Sequence, residues 1–255
     1  MARVWAVANQ KGGVGKTTTV VNLAACLAAL GHAVLTVDCD PQGHCTTGLG
    51  VDKRGLAGTL YQVLAGARTM RQVKVRTPWG VDVVPATVDL AGAEVELVGA
   101  PEREQRLRDA LGEVGEDYGF VFIDCPPSLG LLTVNALVAA EGVVVPIQCE
   151  YYALEGLGQL VRTIQLVRRS YNPPLHLQGV ILTMFDSRTN LSAQVAAEVR
   201  KYFRDRVYET VIPRSVRLSE APSHGQPINW YDPRSRAAES YMALAKEVLS
   251  RECGC

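Results

Sequence analysis

The sequence predicts an α/β fold built on a doubly wound, mostly parallel sheet flanked by helices. Three observations carry that expectation. Short β-branched runs alternate with segments of helical period along the whole chain. Several of the runs carry apolar residues on both faces, as strands covered by helices on two sides must. A glycine-rich turn joins the first strand to the first helix. Residues 4–8, 33–37, 81–85, 120–124, 143–147, 177–183 and 210–212 read as strands. Residues 17–30, 103–114, 129–140, 154–169, 191–203 and 237–249 read as helices, with Gly31 placed to end the first of them. Ligands on such sheets sit beyond the carboxyl ends of the strands.

Composition removes several classes. The chain has 255 residues, 47% of them hydrophobic, with 26 Lys and Arg against 26 Asp and Glu, so a collagen, a disordered tail and a highly charged coiled coil are excluded. No linker or composition break divides the chain, which predicts one domain over residues 1–255. The longest apolar stretch, 129–147, is interrupted by Asn135, Glu141, Gly142 and Pro146, and reads as a buried helix and strand instead of a membrane span. The first apolar run is too short for a signal-peptide core, so a cytoplasmic location without a membrane partner is expected. Charge is uneven: residues 1–150 carry 12 basic and 16 acidic side chains, and residues 151–255 carry 14 and 10, which permits a basic face on the C-terminal half. Cys26, Cys39, Cys45, Cys125 and Cys149 lack metal-ligand spacing and read as buried reduced thiols. Cys253 and Cys255 read as part of a frayed tail.

The chemistry begins after the first strand, at Asn9-Gln10-Lys11-Gly12-Gly13-Val14-Gly15-Lys16-Thr17-Thr18. Glycines let a backbone wrap phosphate oxygens and aim N–H groups at them, Lys16 adds charge at the β- and γ-phosphates, and Thr17 offers a hydroxyl to Mg²⁺. Gln10 stands where the ordinary GxxxxGK[ST] pattern has Gly. What is present is the KGGxGK[ST] variant, with Lys11 as a second lysine in the loop. A dinucleotide GxGxxG reading of Gly13-Val14-Gly15 fails because Thr18 replaces the third glycine and Lys16 has no task in such a site. The loop is therefore expected to bind a mononucleotide with Mg²⁺.

Two further segments fall where that site needs them. The second strand ends in Asp38-Cys39-Asp40-Pro41-Gln42-Gly43, and the strand at 120–124 ends in Asp124-Cys125-Pro126-Pro127-Ser128. Asp38 and Asp124 are candidates, with Thr17, for the Mg²⁺ shell, and the Pro-Pro pair for a stiff switch beside the γ-phosphate. The four histidines form no local catalytic pattern, which weakens the alternative of an amidoligase or phosphotransferase. A scaffold that binds nucleotide without hydrolysis is weakened by the three aspartates.

With these motifs, and with Leu182-Thr183-Met184-Phe185-Asp186-Ser187-Arg188-Thr189-Asn190-Leu191, Val211-Ile212-Pro213-Arg214 and Val216-Arg217-Leu218-Ser219-Glu220-Ala221-Pro222-Ser223-His224-Gly225, the sequence resembles the Soj-type chromosome-partitioning branch of the ParA/MinD deviant Walker-A ATPases. The resemblance implies a fold of the P-loop NTPase (deviant Walker A) type that binds ATP or ADP with Mg²⁺, and a homodimer that sandwiches ATP, with Lys11 reaching the partner's nucleotide and Asp40 positioning the attacking water. It implies an adenine loop at Pro213, Arg214 and Ser215. Many relatives carry Asn at the third position, so Ser215 removes one side-chain contact that the resemblance implies and leaves the proline and backbone atoms to hold the ring. It further implies ATP-dependent binding of non-specific double-stranded DNA through Arg188 and Arg217, and a ParB-type centromere-binding partner that stimulates hydrolysis on the nucleoid. Arg200, Lys201, Arg204 and Arg206 on and after the 191–203 helix are candidates to support that contact, though charges so placed more often form a solvated face. The basic membrane helix of the MinD branch is not expected, because Tyr241, Leu244, Ala245, Val248 and Leu249 form a core-packing stripe.

Overall fold

The computed structural model describes residues 2–151 and 157–253. Its strands are β1 (Arg3–Val7), β2 (Val34–Asp38), β3 (Val75–Arg76), β4 (Val81–Val84), β5 (Phe120–Asp124), β6 (Gly142–Gln148), β7 (His176–Phe185) and β8 (Val207–Pro213). They form one sheet in the order β3-β4-β2-β5-β1-β6-β7-β8, parallel throughout except for the antiparallel β3–β4 pair at one edge. The expected doubly wound architecture is present. β1 lies between β5 and β6, so the chain reverses direction across the sheet there, and the turn after β1 opens into the resulting crevice.

Alternate residues of the central strands feed two cores. Ala6, Leu35, Val37, Val121 and Ile123 face one side and pack with helices Arg106–Gly112, Leu131–Ala139 and Asn190–Phe203. Trp5, Val7, Val34, Phe120 and Phe122 face the other and pack with helices Lys16–Ala29 and Arg236–Cys253. From Trp5 to Val7, and throughout β2 and β5, side chains on both faces are thus buried, which explains why apolar residues stand on both faces of these strands.

The first helix ends at a left-handed Gly31 (φ +92°), whose N–H reaches Ala28 O at 3.0 Å while His32 N reaches Leu27 O at 3.1 Å. That is the Schellman closure a glycine makes possible. In the last helix Tyr241, Leu244, Ala245 and Val248 are buried, as the packing stripe predicted. Among the described residues, no helix is long and apolar enough to cross a membrane. The cysteines at 26, 39, 45, 125 and 149 are buried and unpaired. Residues 154–156 of the predicted 154–169 helix, and Cys255 of the terminal CxC, lie outside the described residues.

Two kinds of element escaped the periodicity analysis. β3 is two residues long, too short for any pattern. Helices His44–Gly48, Leu60–Leu64, Met70–Val73, Leu90–Glu96 and Val216–Glu220 run for one or two turns. Thr59 with Gln62, and Thr69 with Gln72, form capping boxes that start two of them.

Candidate nucleotide site

The register of the sheet assembles the site. Val7 pairs with Asp124 and Asp38 pairs with Asp124, so the turn after β1, the end of β2 and the end of β5 meet at one carboxyl edge. Gly13 (φ +74°) and Gly15 (φ +90°) take backbone conformations that a side chain would strain, which lets the loop curl back over the start of helix Lys16–Ala29. Three bonds hold the curl. Asn9 receives the Lys11 N–H at 3.0 Å and donates to Pro146 O at 2.8 Å, and the Thr183 hydroxyl donates to Val14 O at 2.8 Å. Thr183 stands in the 182–191 segment, and nothing local in the sequence marks it as part of the site. Its bond to a residue 169 positions away could only be seen in three dimensions.

Lys16 is buried, and its Nζ donates to Lys11 O at 3.3 Å, across the mouth of the loop. Burial pushes its ammonium below the usual lysine range, opposed by the charges of Asp124 and Asp40. Lys11 behaves differently: it is half-buried, forms no ion pair among the described residues, and is absent from the lining of the adjoining cavity.

The three aspartates divide their work. Asp38 is fully buried. Its Oδ2 accepts from Thr46 N (2.8 Å) and Thr46 Oγ1 (2.7 Å), and its Oδ1 accepts from Asp40 N (3.2 Å). Both oxygens are thereby committed to the 40–46 loop, while burial pushes the carboxyl up to about 6. Asp124, equally buried, accepts the Thr17 hydroxyl on Oδ2 at 2.7 Å and leaves Oδ1 with no hydrogen-bond partner. Burial and the nearby Asp38 charge raise its carboxyl well above the usual range, with the Thr17 bond and Lys16 acting against them. An orphaned buried carboxylate oxygen beside a threonine hydroxyl fits an Mg²⁺ hydration shell. No group of three or more His, Cys, Asp or Glu among the described residues is arranged to hold a metal by itself. That suits an ion completing its octahedron with water and phosphate oxygens. Asp40 is half-exposed, lines the cavity, and accepts Gln42 N at 2.9 Å.

Two adjoining cavities run from the loop. One of about 410 Å³ is lined by Gly12, Gly13, Lys16, Thr17, Asp40 and Pro127, among others. The second, of about 270 Å³, is lined by Pro213, Arg214, Ser215, Leu218 and Tyr241, and the two share Gly15, Thr18, Met184 and Pro222. The expected adenine loop therefore borders a chamber continuous with the phosphate loop. Met184, at φ +51°, sits at the junction of the chambers, a strained backbone of the kind that clusters at functional sites. The Arg214 side chain turns outward to pair with Glu150.

The two arginines expected to meet DNA both flank the adenine loop. Arg188 lines a surface hollow with Pro213, Arg214 and Ser215, and Arg217 lies on the helix whose Leu218 and Ser219 line the adenine chamber. Both are exposed. Arg188 pairs with Asp186 through two contacts (2.9 and 2.8 Å), and Arg217 with Glu220 (3.0 Å) and Asp232 (3.4 Å). Of the supporting residues, Arg200 is engaged by Glu209 and Arg206 by Leu177 O, while Lys201 and Arg204 are exposed.

The "AAA domain" family model matches residues 2–177. The chain is 59% identical to the sporulation initiation inhibitor protein Soj of Bacillus subtilis, over 98% of this chain and 99% of that one, and 55% identical to the chromosome partitioning protein ParA of Caulobacter vibrioides, over 98% and 95%. Among solved structures, one from Mycobacterium smegmatis named cobyrinic acid a,c-diamide synthase, with bound ADP and magnesium, superposes with a TM-score of 0.87 at 42% identity, covering 98% and 95% of the two chains. The septum site-determining protein MinD of Pyrococcus horikoshii, complexed with Mg-ADP, superposes with a TM-score of 0.79 at 27% identity, covering 97% and 96%. A phosphate loop of the two-lysine type at the switch point of this sheet, with relatives of such identity over nearly full length, leads to one assignment: the chain belongs to the Soj/ParA family of chromosome-partitioning proteins.

Proposed function

We propose that the whole chain, residues 1–255, works as one ATPase unit that drives DNA partitioning: it binds ATP with Mg²⁺, pairs with a second copy, holds non-specific double-stranded DNA, and hydrolyses ATP when a ParB-type centromere-binding partner stimulates it. The observation that carries this reading is the different setting of the two loop lysines. Lys16 is buried at the mouth of its own loop, whereas Lys11 forms no ion pair among the described residues and is outside the lining of its own cavity, as a group destined for another subunit's phosphate would be. An ammonium supplied in trans stabilises charge on the transferring phosphoryl group and makes hydrolysis depend on pairing.

In this reading Thr17 and Asp124 hold the magnesium shell, directly or through water, and Asp38 adds charge behind them while it fixes the 40–46 loop. Bound there, the ion would supply positive charge against the phosphates. Asp40, held toward the cavity by its bonds to Asp38 and Gln42 N, accepts a hydrogen bond from the attacking water and orients it. Gly12 to Thr18 cradle the phosphates, and Pro213, Arg214 and Ser215 border the base. Because Arg188 and Arg217 adjoin the adenine loop, nucleotide binding sets the surface offered to DNA, which the protein holds by phosphate contacts while it cycles on the nucleoid in the cytoplasm.

An amide-forming ligase is the second reading, favoured by the name of the M. smegmatis structure. It requires a place for a substrate carboxylate beside the γ-phosphate, and Lys16 is the only Lys or Arg in the lining of the larger cavity. ATP hydrolysis measured with no second small substrate, with and without non-specific duplex DNA and a ParB-type protein, separates the two. Stimulation by DNA and partner supports partitioning. Turnover that appears only when a carboxylic acid and an amine donor are added supports the ligase.

A further inference from the structure

Helix Leu90–Glu96 and the turn Leu97–Gly99 that continues it bury Leu90, Ala93 and Leu97. The opposite side is also apolar. Val88, Ala91, Val95 and Val98, spaced by three, four and three residues, make one stripe, and the three valines are 70%, 75% and 61% exposed. A short element that is apolar on its outer face as well as its inner one has surface to bury against something else. Asp89, Glu94 and Glu96 border the stripe, and none of them forms an ion pair with any described residue. Asp89 and Glu96 accept only hydroxyls, from Thr87 and Tyr61. Asp89, Glu94 and Glu96 are the charged residues of the 88–99 segment, so the element that carries the valines is acidic, while Arg103 donates to Val98 O.

We infer that this stripe is a docking surface for a cationic amphipathic segment of a protein partner, whose apolar residues cover the valines and whose Lys or Arg side chains pair with Asp89 and Glu96. The inference rests on the function proposed above and names where its ParB-type partner engages. The acidic border disfavours both DNA and an anionic membrane as the occupant, and an acid-on-acid meeting disfavours the same face of a second copy. The position also gives docking a route to the chemistry. Glu94 accepts the Leu132 N–H at 3.4 Å at the start of helix Leu131–Ala139, and a side chain at Gly130 would collide with it. The 125–130 loop that Glu94 abuts carries Pro127, which lines the nucleotide cavity.

The test measures ATP turnover against concentration of the ParB-type protein bound to its DNA site, for the wild-type chain and two double variants. Val95→Asp with Val98→Asp removes the apolar contact, and Asp89→Lys with Glu96→Lys reverses the charge. All four positions are solvent-facing and outside the nucleotide site, so basal turnover reports that each variant is folded. The partner concentration for half-maximal stimulation is expected to rise fivefold or more in both. A smaller rise, with the wild type stimulated, overturns the docking surface and leaves the proposed function standing. A wild-type chain that the partner does not stimulate at all overturns both.

Discussion

Replacing Thr46 by the isosteric valine tests how the 40–46 loop is held. The Thr46 hydroxyl donates to Asp38 Oδ2 at 2.7 Å and accepts the Ala86 N–H at 3.0 Å, with all three residues fully buried. At pH 8, where Asp38 is ionised, Thr46→Val removes a hydrogen bond to a charge, about 1.5–3 kcal/mol, and leaves the Ala86 amide unsatisfied, about 1–3 kcal/mol more. The expected loss is about 3–5 kcal/mol. The loss must also depend on pH. Burial pushes the folded carboxyl up to about 6, above the ordinary unfolded value, so Asp38's contribution to stability is greatest below pH 4 and is lost as pH rises through 6. Without the threonine donor the ionised form is worse accommodated, the folded titration moves higher, and the decline extends to higher pH. At pH 5 the substitution therefore costs about 1 kcal/mol less than at pH 8. Urea unfolding of both proteins at the two pH values, without nucleotide and in chelator, measures the difference. A cost under 1 kcal/mol at pH 8, or one that shrinks as pH rises, would refute the assignment of both Asp38 oxygens to this loop.

Lys11→Ala is expected to bind ATP normally and lose nearly all turnover. Wild-type turnover per subunit should rise with protein concentration, and a variant with wild-type turnover at every concentration would contradict action across the dimer. Asp40→Ala should retain ATP and accumulate as a long-lived dimer on size-exclusion chromatography with ATP, whereas a variant that stays monomeric would contradict the water-positioning role. Two arginines in each of two subunits touch about four phosphates, so log affinity for non-specific duplex should fall with log salt at a slope of roughly −3.6. Arg188→Ala should flatten that slope by about 1.8 without changing ATP binding, and an unchanged slope would place the DNA surface elsewhere.

What the sequence made legible follows from range. The order of strands and long helices, the closing glycine at position 31 and the phosphate loop are local patterns, each written in consecutive residues, and the fold reproduces them. Asp124 could be singled out because it ends an apolar strand. That Thr17 occupies one of its oxygens and leaves the other unpartnered depends on a contact across 107 positions. Thr46 and Thr183 were invisible as site residues for the same reason: a buried threonine has no sequence signature apart from the carboxylate or carbonyl it meets in the fold. The one- and two-turn helices after β2 and β4 stayed hidden because a single turn offers no period to read. One of them, Leu90–Glu96, is apolar on two faces, and two-sided apolarity erases the amphipathic signal that would have marked it.

The claim on which the account turns is that nucleotide state controls a DNA-binding dimer. Sedimentation of the protein on non-specific duplex DNA at low salt, with ATP, with ADP and without nucleotide, tests it most directly. The account predicts that the protein sediments with DNA as a dimer in ATP and remains in the supernatant in ADP and in nucleotide-free buffer. Equal sedimentation in all three conditions, or none in ATP, would contradict it.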